Sequence, residues 1–145
     1  MVVRDDGAVM IVRLKQGEFP QYRAIVDAVQ LDNCLEISRI PFLESLKRIN
    51  LFTEDIFHTI QLKIENNKMV LSSQNADIGS AKDEQNVVYS GEPLVLGFNC
   101  RYFIETLQVM ACDTVKAYIN SNNSPCLMKS DADQGFLSII MPMQL

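Results

Sequence analysis

Histidine is almost absent from this chain: His58 is the only one among 145 residues. A zinc site or a Ser–His–Asp triad would have to be built around that one imidazole, and no GxSxG, HExxH or glycine-rich phosphate loop accompanies it. Following Phe57 at the start of an alternating stretch, His58 reads as a structural residue. The four cysteines, Cys34, Cys100, Cys112 and Cys126, include no CxxC pair. Each lies in or beside an apolar stretch, which favours small buried hydrophobes over metal or redox groups. No apolar run approaches the ~20 residues of a membrane span, and no signal-peptide pattern opens the chain, so a cytoplasmic protein is expected. Positive charge is also scarce. Lys and Arg number 13 against 18 Asp and Glu, for a net charge of −5. That argues against tight, charge-driven nucleic-acid binding by the whole surface, while leaving room for a locally basic face. The carboxylates show no paired pattern, so no catalysis, cofactor or metal is expected.

What is present suits one domain with a core of its own: 48% of residues are apolar and 21% charged. Residues 8–15 (AVMIVRLK) read as a strand, and Gly17 and Pro20 mark the connection after it. A lone leading strand cannot make a sheet, so residues 1–25 look like the end of something larger. CLEIS (34–38) is a strand by alternation. From Ile40 the spacing turns helical, with Phe42, Leu43, Leu46 and Ile49 on one face and Pro41 in the first turn. FHTIQLKIE (57–65) and MVLSSQ (69–74) flank an Asn-Asn turn as a hairpin, and NVVYS (86–90) is a further strand.

The order then repeats. PLVLGF (93–98) is a strand, Asn99 a candidate N-cap, and CRYFIETLQVM (100–110) a helix with Phe103, Leu107 and Met110 on one face. TVKAYI (114–119), CLMKS (126–130) and GFLSIIM (135–141) complete the unit. Phe42-Leu43-Glu44-Ser45-Leu46 aligns with Phe103-Ile104-Glu105-Thr106-Leu107, 61 positions later. Two β-α-β-β-β units, about 33–90 and 93–145, predict an α+β fold with two helices on one face of antiparallel sheet. Their polar faces turn the same way, bringing Lys47, Arg48 and Arg101 to one side.

The run IIMPMQL (139–145) is unusually apolar for its position. It reads either as a core strand or as a surface kept for a partner.

Together the duplicated unit, EFPQYRAIV (18–26), YSGEPLVLGFN (89–99), GFNCRY (97–102) and MPMQL (141–145) resemble the bacterial sliding-clamp family, the β subunit of DNA polymerase III. The likeness is to the third, C-terminal module and covers about Ala8 to Leu145. It implies the DNA-clamp fold, with residues 26–145 as one module of three, preceded by the last strand of the second module and a linker. In that family two protomers close head-to-tail around duplex DNA as a non-catalytic processivity factor. A hydrophobic pocket there captures short motifs of polymerases, the clamp loader and repair proteins. Carried over, the peptide-binding lining is Pro20, Ile25, Phe57, Asn99, Tyr102 and Pro125, with Ile139, Ile140, Met141, Pro142, Met143 and Leu145 from the tail. Lys47, Arg48 and Arg101 correspond to the DNA channel, and Leu51 and Phe52 to the ring interface.

Two departures bear on ligand choice. Ala24 stands where the family often has a second arginine, and Gln144 replaces the arginine of an MPMRL ending. Much of the family pocket belongs to the second module, so weak peptide binding, negligible DNA affinity and a monomer are expected of this chain alone. The alternative is a stand-alone peptide-binding adaptor of the same fold, against which the orphan leading strand counts.

Overall fold

The computed structural model describes residues 1–53 and 57–145. It begins with a hairpin, β1 (Val2–Asp5) and β2 (Ala8–Ile11), and a short helix α1 (Tyr22–Ala28). The first unit follows as β3 (Cys34–Ser38), α2 (Arg39–Asn50), β4 (Thr59–Glu65), β5 (Lys68–Asn75) and β6 (Gly79–Asn86). After β7 (Val88–Tyr89), the second unit is β8 (Leu94–Asn99), α3 (Cys100–Val109), β9 (Thr114–Tyr118), β10 (Cys126–Lys129) and β11 (Ser138–Ile140).

The two units do not each form their own sheet. One sheet runs β11-β10-β9-β3-β7 and the other β6-β5-β4-β8. Each leading strand therefore lies in the other unit's sheet: β3 pairs antiparallel with β9, and β8 with β4. Both leading strands pass straight into their helices, Ser38 into Arg39 and Asn99 into Cys100. Each helix then delivers the chain to the opposite sheet. Neither unit can complete its sheet without the other.

Helical spacing places Phe42, Leu43, Leu46 and Ile49 of α2, and Phe103 and Leu107 of α3, against the inner faces of the sheets. The Phe103 ring meets Phe42 at 5.8 Å and Phe98 of β8 at 5.1 Å, both edge-on. Each such buried side chain contributes about 1.5–3 kcal/mol over leaving it exposed. Strand alternation supplies the rest of the core, including Ile60, Leu62 and Ile64 of β4 and Met69 and Leu71 of β5. Cys100, Cys112 and Cys126 are buried, and burial pushes the Cys100 and Cys126 thiols up to about 12, so both stay protonated.

The end of α3 is tied down by polar groups from distant segments. Arg39 Nη1 donates to Leu107 O (3.2 Å), and Asp133 Oδ1 accepts from Ala111 N (2.8 Å). Hydrogen bonds from Ser130 and the Ala111 and Cys112 amides hold the Asp133 carboxyl down at about 2. Asn99 caps α3 at its other end, accepting from Arg101 N at 2.9 Å.

Three elements depart from the sequence pattern. Where one strand over 8–15 is expected, Asp6 (φ 31°) and Gly7 (φ 90°) turn the chain between β1 and β2. An Asp-Gly pair is a strong two-residue hairpin signal. The hairpin's apolar residues Val2, Val9, Met10 and Ile11 are exposed. Helix α1 is absent from the pattern because it presents only Val26, which with Val29 just after the helix packs on Tyr118 and Leu127. Strand β6 is missed because its inward residues, Ala81, Asp83 and Gln85, are mostly polar. Asp83 and Gln85 face α2 through Arg48 (2.5 Å) and Ser45 (2.5 Å) rather than through apolar contact.

Candidate functional site

The last residues leave one sheet and reach the other. Register pairs Leu127 with Ile139 and Cys126 with Ile140 at the edge of the first sheet. Alternation turns Ile140 inward, 2% exposed, and leaves Ile139 half-buried on the outer face. Pro142 has no N–H to continue a ladder. One residue later, Met143 N donates to Gly97 O at 2.8 Å, bridging to β8 at the edge of the second sheet. Gly97 is what permits this approach. A Cβ there would stand 2.7 Å from Met143 O and 2.8 Å from Leu145 Cδ2, closer than van der Waals contact.

Beside the tail lies an open groove of about 490 Å³. Residues 141–145 form one wall, Val95 and Gly97 of β8 another, and Asn122 and Asn123 of the β9–β10 turn a third. Met141 is 56% and Leu145 64% exposed, so thioether and alkyl surface face solvent. None of the groove's described lining residues has an ionisable side chain; its polar groups are the amides of Asn122, Asn123 and Gln144.

The remaining expected lining residues fall at varying distances from this groove. Asn99 does double duty: besides capping α3, its Nδ2 donates to Phe57 O at 3.0 Å, fixing Phe57 beside β8. Phe57 and Tyr102 are each 54% exposed. Pro125 is half-buried immediately before β10. Ile140 lies in the main core and supports the tail from behind. Pro20 lines a separate depression of about 350 Å³ with Phe19 and Tyr22, and Ile25 is 38% exposed on α1. A cross-strand row on the outer face of the first sheet, Cys34, Tyr118, Leu127 and Ile139, runs from the α1 contact to the tail. It is the physical link between those two sets of residues.

Helices α2 and α3 carry four cations, Arg39, Lys47, Arg48 and Arg101, against two carboxylates, Glu44 and Glu105. The helical layer is thus positive on a chain of net charge −5. Lys47 is paired with Glu44 (3.0 Å), and Arg48 reaches Asp83 (2.5 Å) and Ser45 (3.0 Å). Arg101 is exposed and belongs to none of the ion pairs among the described residues. Leu51, at the end of α2, is 71% exposed. Phe52 is half-buried, and its carbonyl accepts from Ser73 Oγ at 3.0 Å. His58 takes a left-handed backbone (φ 47°), with its ring 3.1 Å from Thr53 Oγ1.

Sequence reasoning overlooked Val95, Gly97, Asn122 and Asn123 as groove residues. A glycine inside a strand pattern was the available signal, since it marks a close approach of another backbone. Nothing in the sequence marks the two asparagines.

Residues 29–144 match the family model described as DNA polymerase III beta subunit, C-terminal domain. Over 90% of its length the chain is 30% identical to the beta sliding clamp of Treponema pallidum, of which it covers 36%. Among solved structures, the DNA polymerase III beta subunit of Thermotoga maritima superposes with a TM-score of 0.82 at 30% identity, over 94% of this chain and 36% of that one. A sliding clamp from Bartonella birtlesii bound to griselimycin gives 0.83 at 27% identity, over 89% and 35%. The chain thus spans little more than a third of the length of these relatives.

Proposed function

Since this chain belongs to the family of C-terminal domains of the DNA polymerase III beta subunit, we propose that it acts as the C-terminal module of a cytoplasmic sliding clamp. It is then a non-catalytic tether that holds polymerase, clamp-loader and repair proteins to DNA. In this reading the groove beside the tail receives the apolar anchors of short partner motifs. The observation that carries it is the tail itself, docked on β8 at Gly97 with Met141 and Leu145 largely exposed.

The chemistry suits many partners. Removing apolar surface from water supplies roughly 25 cal/mol per Å² without demanding a fixed geometry. Unbranched methionines adjust to differently shaped anchors. Asn99 serves by fixing Phe57, exposed Tyr102 adds a hydroxyl, and Leu51 and Phe52 form an apolar knob for a neighbouring protomer. The positive helical layer faces the phosphates of an encircled duplex. Lys47 and Arg48 already have protein partners, so their phosphate contacts are loose, as a sliding device requires.

The test is titration of the chain with a fluorescent peptide bearing glutamine, leucine and phenylalanine anchors, beside a version lacking residues 141–145. Saturable binding that disappears with the tail supports the reading. Absence of binding by the chain, and also by a version preceded by a second clamp module, overturns it.

A further inference from the structure

The outer face of the second sheet carries a feature the tail groove does not explain. Register places Gly97 opposite Gln61, Gln61 opposite Ser72, and Ser72 opposite Lys82. These four residues form one row across all four strands. Thr59, opposite Asn99, and Gln74, opposite Ser80, flank it two residues away. A shallow depression of about 500 Å³ follows this row, and Leu145 lines both it and the tail groove. The surface is therefore continuous from the tail to β6.

Its chemistry is uniform until the far end. Amides and hydroxyls line it, and Lys82 is its one charged side chain among the described residues. The neighbouring carboxylate, Glu84, is engaged by Lys68 at 2.6 Å, and Lys82 belongs to none of the ion pairs among the described residues. On the first sheet the corresponding outer face lies under α1. Here, among the described residues, the tail covers the face at Gly97 and no helix lies over the rest of the row.

We propose that this row is a second docking segment, on which an uncharged stretch of a partner peptide continues from its anchor at the tail and ends with a carboxylate on Lys82. The proposal rests on the peptide-binding reading above. Gln61 and Ser72 offer donors and acceptors to an extended backbone, whereas a charge laid among them would lose hydration without a partner. Strands lie about 4.8 Å apart, so three gaps from β8 to β6 span roughly 14 Å, or about four extended residues. The acidic group therefore belongs four or five positions beyond the anchor.

The test compares anchor peptides extended, at either end, by four Ser/Gln residues and then Asp, Asn or Lys. Fluorescence anisotropy reads their affinities for the chain and for its K82E and K82Q variants at low and high salt. For one direction of extension, the Asp peptide should bind about 2- to 5-fold tighter than the Asn peptide, the gain vanishing in high salt. K82Q should abolish the preference and K82E should turn it toward the Lys peptide. Equal affinities for all three endings, with the unextended anchor still bound, overturn the second segment and leave the tail groove standing. Failure of every peptide to bind, both to the chain and to a version preceded by a second clamp module, overturns both.

Discussion

Replacing Gly97 by alanine tests how the tail is held. The added Cβ would meet Met143 O at 2.7 Å and Leu145 Cδ2 at 2.8 Å, and backbone cannot yield as the end of a side chain can. If the tail stays in place, overpacking costs about 1–3 kcal/mol. If it leaves, the Met143 N to Gly97 O hydrogen bond is lost, a net cost of about 1 kcal/mol plus the contacts of Met143 and Leu145. Alanine returns about 0.4–1 kcal/mol by restricting the unfolded chain. The chain takes the cheaper course, so the net destabilisation stays near 1 kcal/mol and the tail undocks. Urea denaturation should show the midpoint falling by about 0.5 M at an unchanged slope. Hydrogen exchange should show the Met143 amide losing its protection while the Leu62 and Ile64 amides of β4 keep theirs. A variant with an unaltered midpoint and a still-protected Met143 amide would refute this account of the glycine.

Three further outcomes follow from the same geometry. Phe103→Ala removes the ring that meets Phe42 and Phe98 and should cost about 3–5 kcal/mol, read as a fall in Tm of about 10 °C or more. Asn99→Ala removes both the α3 cap and the tie to Phe57, costing about 1 kcal/mol in denaturant midpoint and weakening anchor-peptide binding in the anisotropy titration. The Asp133 carboxyl is held down at about 2, below its usual value near 4, so its contribution is complete above about pH 4 and fades as pH falls through about 2. Comparing the midpoints of the protein and of D133N across that range should show a gap that is widest above pH 4 and closes toward pH 2.

Local periodicity by itself determined the elements that bury apolar side chains. Helices α2 and α3, the β4–β5 hairpin and the strands β3, β8, β9 and β10 were legible because a repeat of two or 3.6 residues follows from which face meets the core. The duplication showed as matched side chains, Phe42 with Phe103 and Leu46 with Leu107. MPMQL marked the tail, since apolar residues around a proline are neither loop nor continuous strand. Elements whose partners are polar or few stayed hidden: β6 contacts α2 through Asp83 and Gln85, and α1 docks through Val26 and the Val29 that follows it. Only the tertiary structure decided that each unit lends its first strand to the other's sheet, because pairing partners distant in sequence leave no mark on local spacing. It also decided that Ile140 is core while Met141 is surface, that Gly97 admits Met143, and that Gln61, Ser72 and Lys82 share a row. Those relations depend on register between strands, which is set by how whole sheets pack rather than by any one segment.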